Sequence, residues 1–440
     1  MRFALVGQSG RDSDNPLGNT SRLVNIYAEK MTTGERALKS VLGMDPHVQL
    51  NGVLIRAMGV VDGVTYAILG GRLWRIRENG SASPLGQVTT GHASLSGNNG
   101  AVCIQAGTRY FVYDSGMSEP ATGAFSAFGS VEYIDNYTVL TEAGGRMFQW
   151  SDLADPKTLP GLNFSTADAN DDKLVRAFAL DGRLYLFKEH STEIWYNTGA
   201  SGAEAFQRVA GGVKGTGLKA HNLICRFDDG AFMVGSDNRA SLIAGGQFQP
   251  ISTPAVETAI RESLPVACLV YSDEGHTFLC IVLRDAPAWC YDLAMGEWHE
   301  RAEGEAGPWN VAASARLGDE WAIGRDSGEI AVLRRTNSDG GRPLIRELTT
   351  PTLRMDGART VLREFEVFPS SGFRNGSISL RLSRDGGATW TPDKTRILTR
   401  GEFDDRAIWR NLGMGRALTA KLRWSDPYDL CLSENARIAT

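Results

Sequence analysis

Short runs of apolar residues recur along this chain, either alternating with polar ones or continuous, and each is closed by a polar turn that carries glycine. That pattern predicts strands rather than helices. The clearest runs are GGRLWRI (70–76), TRYFVYD (108–114), GRMFQWSD (145–152) and STEIWYN (191–197), with weaker members NRASLIAGG (238–246), APAWCYDL (286–293) and SGEIAVLR (327–334). Anchored at Leu73, Tyr110, Met147, Ile194, Leu242, Trp289 and Ile330, they repeat every 37 to 48 residues, the spacing of four-stranded propeller blades. Six or seven blades fit. A blade of this kind has two apolar faces, so it must stack on neighbours, and a closed ring leaves only short edges.

An upstream hairpin accompanies each run. In the best defined, PVACLVYS (265–272) is joined to HTFLCIVL (276–283) by Asp273, Glu274 and Gly275. A three-residue loop with glycine last predicts that Ser272 faces His276, which sets Cys268 opposite Cys280, both as thiols. One amphipathic helix is predicted from Pro254 to Leu264, with Val256, Ile260 and Leu264 on the face that packs between blades. After Arg335 the polar stretch TNSDGGRP is followed by the alternating runs LREFEVF, SISLRLS and TAKLRWS. The chain therefore reads as all-β: an N-terminal arm (1–50) outside the repeat, a β-propeller (51–340) and an antiparallel β-sandwich (341–440).

Composition narrows the class further. Hydrophobic residues make up 42% and charged residues 22%, which excludes a disordered chain, and 50 glycines against 16 prolines suit many tight turns. No secretory leader or long uninterrupted apolar run is visible, so no membrane anchor is expected. Cysteines 103, 225, 268, 280, 290 and 431 lack the CxxC spacing of a zinc module and predict free thiols in a reducing cytosol. The formal charge of −5 conceals a split: residues 342–440 carry 17 Lys+Arg against 12 Asp+Glu, and the preceding ones 29 against 39. The acidic part is a poor partner for phosphate, whereas the basic part can face an acidic protein. Arginine outnumbers lysine 37 to 9, as suits fixed ion pairs.

Chemistry-bearing motifs are few. His47, His92, His190, His221, His276 and His299 are too dispersed for a local metal motif, so no metal and no cofactor is expected. In the glycine-rich stretch 211–217, Gly215 separates Lys214 from Thr216 and breaks the phosphate-loop pattern, and Gly7, Gln8, Ser9 and Gly10 lack the second spaced glycine of a nucleophile elbow. One motif is specific. Ser383, Asp385, Gly387, Thr389 and Trp390 resemble the Asp-box of sialidases and other propellers, a turn in which the carboxylate caps backbone amides while tryptophan packs beneath. The alternative reading is thus a carbohydrate-binding or glycan-cleaving propeller, which would need an arginine triad and a Tyr/Glu pair that the sequence does not assign.

The segment Ser21 to Glu29, SRLVNIYAE, resembles the opening of the packaged-DNA stabilisation family, the tail hub or nozzle proteins of short-tailed bacteriophages. Further stretches agree in order: GMDP (43–46), LIRAMG (54–59), TYAI (65–68) leading into GRLWRI (71–76), STEIWY (191–196), the Lys214-Gly215 loop and AIWRNLG (407–413). The resemblance implies a structural virion protein rather than an enzyme: a homohexameric ring below the portal-adaptor ring protein, extending the DNA channel and retaining packaged DNA until ejection. It also implies contact with a tail fibre, spike or needle protein, proximity to double-stranded DNA without sequence preference, and assembly in the host bacterial cytoplasm. An acidic inner wall of the ring would repel the DNA backbone. Arg22, Asn25, Tyr27 and Glu29, close together in the opening segment, are the candidate contacts to a neighbouring subunit or the adaptor.

Overall fold

The computed structural model describes residues 2–5, 10, 21–31, 34–50, 54–228, 230–354, 359–370, 374–402, 406–426 and 429–440. Gly7, Gln8 and Ser9 lie outside the described residues.

Five successive four-stranded antiparallel sheets open the propeller, each made of strands consecutive in the chain. Their innermost strands are Ile55–Val61, Ala93–Asn98, Phe128–Ile134, Leu174–Leu180 and Ile224–Phe227. A sixth blade runs from Pro265–Asp273 through His276–Leu283 and Ala288–Asp292 to Glu297–Arg301. The seventh takes Val311–Leu317, Glu320–Arg325 and Glu329–Arg334 and borrows its outer strand, Gly43–Gln49, from the other end of the chain. The ring is thereby closed by pairing its beginning with its end.

Inner strands crowd toward the axis, which selects small side chains there. A Cβ on Gly59 of blade one would meet Leu95 Cδ1 of blade two at 2.6 Å. Where strands of different blades diverge, serine hydroxyls take over the bonding: Val131 N–H donates to Ser94 Oγ (3.0 Å), Ala177 N–H to Ser130 Oγ (3.0 Å), and Ser314 Oγ to the Val270 carbonyl (3.0 Å). Between blades the cores are apolar, with Phe148, Trp150 and Trp195 packed in one and Phe187, Phe232 and Trp298 in another. Such burial stabilises by about 1.5–3 kcal/mol per large side chain.

Two local expectations need correction. The hairpin of blade six pairs Asp273 with His276, so its loop is the two-residue Glu274-Gly275, both in the left-handed region (φ 47° and 86°). The register moves by one residue. Cys268 faces Ile281, and Cys280 faces Leu269 on one side and Cys290 on the other. The helix spans Pro254–Glu262, capped by Thr253, and buries Val256 and Ile260. Leu264 is not on its buried face: it precedes Pro265, which disfavours helical backbone, and it is 52% exposed.

The sandwich has two sheets. One orders Ile26–Lys30, Arg36–Ser40, Leu432–Ala439, Thr360–Pro369 and Ala407–Gly415. The other orders Arg22–Val24, Arg346–Thr349, Ala417–Trp424, Gly376–Ser383 and Lys394–Leu398. Leu38, Phe365, Trp409 and Ile438 meet Leu348, Ile378, Leu380 and Leu422 between them. The described part of the expected arm (1–50) is thus a series of strands built into both units: Arg22–Val24, Ile26–Lys30 and Arg36–Ser40 in the sandwich, then Gly43–Gln49 in blade seven.

Candidate functional site at the junction of propeller and sandwich

Arg22–Val24 lies between the two units. It pairs parallel with the outer strand of blade six (Val24 with Glu300) and antiparallel with Arg346–Thr349 of the sandwich, so one ten-stranded sheet runs through both. A continuous sheet resists bending at that point far better than a linker does.

The four singled-out residues of this segment make their visible bonds within the chain. Arg22 grips Glu300 with two parallel bonds, Nε to Oε1 at 2.7 Å and Nη2 to Oε2 at 2.5 Å. Asn25 is fully buried with a left-handed backbone (φ 58°), a conformation asparagine tolerates better than most residues. Its amide donates to the carbonyls of Ala302 (2.9 Å) and Ile345 (2.8 Å), and its oxygen accepts from Ala302 N–H (3.0 Å), so one side chain bridges propeller and sandwich. Tyr27 is buried against His276 and Phe278, with ring centroids 4.9 and 5.0 Å away. Glu29 pairs with Lys39 at 2.5 Å, and Lys39 in turn reaches Glu274 of the blade-six hairpin.

Beneath this stitch lies a buried layer of charge. Arg301 meets Asp339 at 2.7 Å, Arg325 meets Glu303 at 2.6 Å, and Arg346 donates to Ser40 Oγ at 2.7 Å. Burial pushes the Asp339 carboxyl up to about 6, outweighing the pull of Arg301 and helped by Glu303 beside it. His276 Nδ1 is hydrogen-bonded to Asp292 Oδ2 at 2.7 Å, and this bond raises the imidazole pKa despite burial. These residues carry no motif and were not legible as a group; the excess of arginine over lysine was the one signal. A cleft of about 220 Å³ opens beside the layer, lined by Arg22, Arg381, Lys421 and Arg423 against Glu305, Glu347 and Asp393. Its charges are paired, with Arg423 to Glu305 at 2.7 Å and Arg381 to Asp393 at 2.6 Å.

The Asp-box-like turn sits at the end of Gly376–Ser383. Asp385 accepts from Ser383 Oγ (2.6 Å), Thr389 N–H (2.9 Å) and Thr389 Oγ1 (2.5 Å), and these bonds hold its carboxyl well below the usual range. Gly387 N–H donates to Ser383 Oγ, and Trp390 is half-buried under Lys421 Nζ, 4.9 Å from the ring centre. This is an internally satisfied turn. In blade four, Glu193 of the STEIWY stretch is buried, accepting from Ala169 N–H and from Arg208, with Lys188 3.6 Å away. Among the described residues no cluster of His, Cys, Asp and Glu has the arrangement to hold a metal, and no helix is long and apolar enough to cross a membrane.

Two family models match the chain. One, described as bacteriophage P22 Gp10, beta-propeller, covers residues 10–338; the other, described as bacteriophage P22 Gp10, beta-sandwich, covers residues 345–439. No curated protein matches. Solved structures with similarity include the computationally designed Ika8 protein (13% identity, 74% of this chain and 100% of that one, TM-score 0.45). The WD40 beta-propeller domain of Doa1 (7%, 66% and 96%, 0.43) and BamB from Moraxella catarrhalis (10%, 76% and 98%, 0.40) are similar to a comparable degree.

Proposed function

This chain belongs to the bacteriophage P22 Gp10 family and is a structural protein of a phage tail, and we propose that it forms a wall segment of a closed tail ring that holds packaged DNA until ejection. The ring is a homohexamer stacked below the portal-adaptor ring, with a tail fibre, spike or needle protein beyond it. The observation that carries this reading is the family match over both units, together with a junction in which one sheet and a buried charge layer tie propeller to sandwich. Containment of DNA under pressure calls for walls that do not flex, and the junction supplies stiffness where two units meet. The basic sandwich docks on an acidic face of the adaptor, while acidic surface of the propeller part lines the channel and repels the DNA backbone. On this reading the Asp-box-like turn shapes a loop and the chain makes or breaks no bonds.

Particles assembled without the chain test the proposal. They are expected to package DNA and then lose it to added nuclease, and imaging of complete particles is expected to show six copies below the adaptor. Full retention of the genome without the chain would refute the role. Charge reversal on the channel wall is expected to slow ejection.

A further inference from the structure

We infer that the axial cavity of the propeller is a binding site for a compact multivalent oxyanion of the phosphate class. The cavity, about 490 Å³, is ringed by the inner strands, opens to solvent and is of a size that holds small ligands. Its wall carries four guanidinium groups from four different blades, Arg56, Arg176, Arg226 and Arg316, against a single carboxylate, Glu132. This excess of positive charge lies inside a part of the chain that is acidic in sum.

Several arginines elsewhere in the molecule are matched: Arg22, Arg325, Arg334 and Arg381 have carboxylate partners that raise their pKa. Arg56, Arg176 and Arg316 differ, with no carboxylate in ion-pair reach among the described residues. Arg56 donates to the carbonyls of Gly70, Thr89 and Gly91, Arg176 to that of His221, and Arg316 to that of Asp319 and to Ser272 Oγ. These bonds orient the guanidinium groups without neutralising them, and burial lowers the pKa of Arg56 and Arg176. Arg226 lies 3.8 Å from Glu132, and Phe178 sits between Arg176 and Arg226, with the charged carbons 5.9 and 4.9 Å from its ring centre.

A set of forked donors lining one cavity is complementary to a small body bearing several oxygens and more than one charge. A single carboxylate would leave most of the excess uncompensated, which selects phosphate or pyrophosphate over a monoacid. The inference does not depend on the ring assignment.

Titration calorimetry of the full chain with inorganic pyrophosphate, at ionic strength held constant with chloride, tests it. Saturable one-to-one binding is expected, weakened about tenfold or more by Arg316→Gln, whose exposed side chain can be exchanged without disturbing the fold. Glu132→Gln removes the one opposing charge and is expected to tighten binding severalfold, a change that a purely structural role would not produce. Absence of saturation, equal binding by Arg316→Gln, or binding of acetate as tight as that of pyrophosphate would each overturn the inference.

Discussion

In blades two to five each strand pairs with its neighbour in sequence around a mostly apolar interior, the buried Lys188 and Glu193 of blade four apart. At the junction Arg22 meets Glu300, 278 positions along the chain, and the interior holds Arg301, Asp339, Arg325 and Glu303. The two regions therefore fail differently. Apolar packing is graded, so a lost side chain costs its transfer energy and the cavity left behind. A buried ion pair is nearly all or none, because removing one partner strands the other. The propeller tolerates drift, and the junction holds one arrangement.

The sharpest way to break this contrast is to damage each region and ask whether the other responds. Trp150 is fully buried and donates to the Gly202 carbonyl, so Trp150→Ala is expected to cost about 3–5 kcal/mol in chemical denaturation. Hydrogen exchange at Asn25 and Val41 should stay slow in that variant under native conditions; joint loss would mean the regions are one cooperative unit. Asn25→Ala is expected to cost about 3 kcal/mol, since it strands two carbonyls and the Ala302 amide and leaves alanine in a left-handed backbone. Amide protection should be lost at the junction and kept in blades two to four.

Acidity acts on the junction with a definite sign. The folded state raises the pKa of His276, so the stability it contributes is complete below about 6.5 and is lost as the pH climbs through the raised value. Asp339, with a folded value of about 6 against an ordinary 3.8, binds its proton more tightly when folded, so stability also declines from about pH 4 to 6. Denaturation midpoints followed by junction probes should fall between pH 5 and 8, and His276→Gln should flatten the upper half of that curve. The smallest effect is expected at the Asp-box-like turn, where Asp385→Ala removes bonds in an exposed loop at a cost of about 1 kcal/mol and leaves the blades untouched.

How much was legible follows from the same contrast. All seven anchors, from Leu73 to Ile330, fall in the third strand of successive blades, Arg72–Ile76 through Glu329–Arg334. A strand covered on both faces shows as an apolar run whatever surrounds it. The hairpin register was not legible, because Asp273-Glu274-Gly275 suits either loop length. Glu274 occupies a left-handed position glycine or asparagine usually takes, and its carboxylate is bound by Lys39 and Arg335 from other parts of the chain. In the candidate site, the SRLVNIYAE segment was visible, whereas its partners Glu300, Ala302 and Ile345 were not.

Period, polarity and turn chemistry lie in neighbouring residues, and they alone determined that this chain is a ring of sheets followed by a sandwich. Tertiary structure decided where the described part of the first fifty residues goes, which arginines are neutralised and which line the axial cavity. Those outcomes depend on charges brought together across hundreds of positions, and pairing energies of that kind leave no local trace in the order of amino acids.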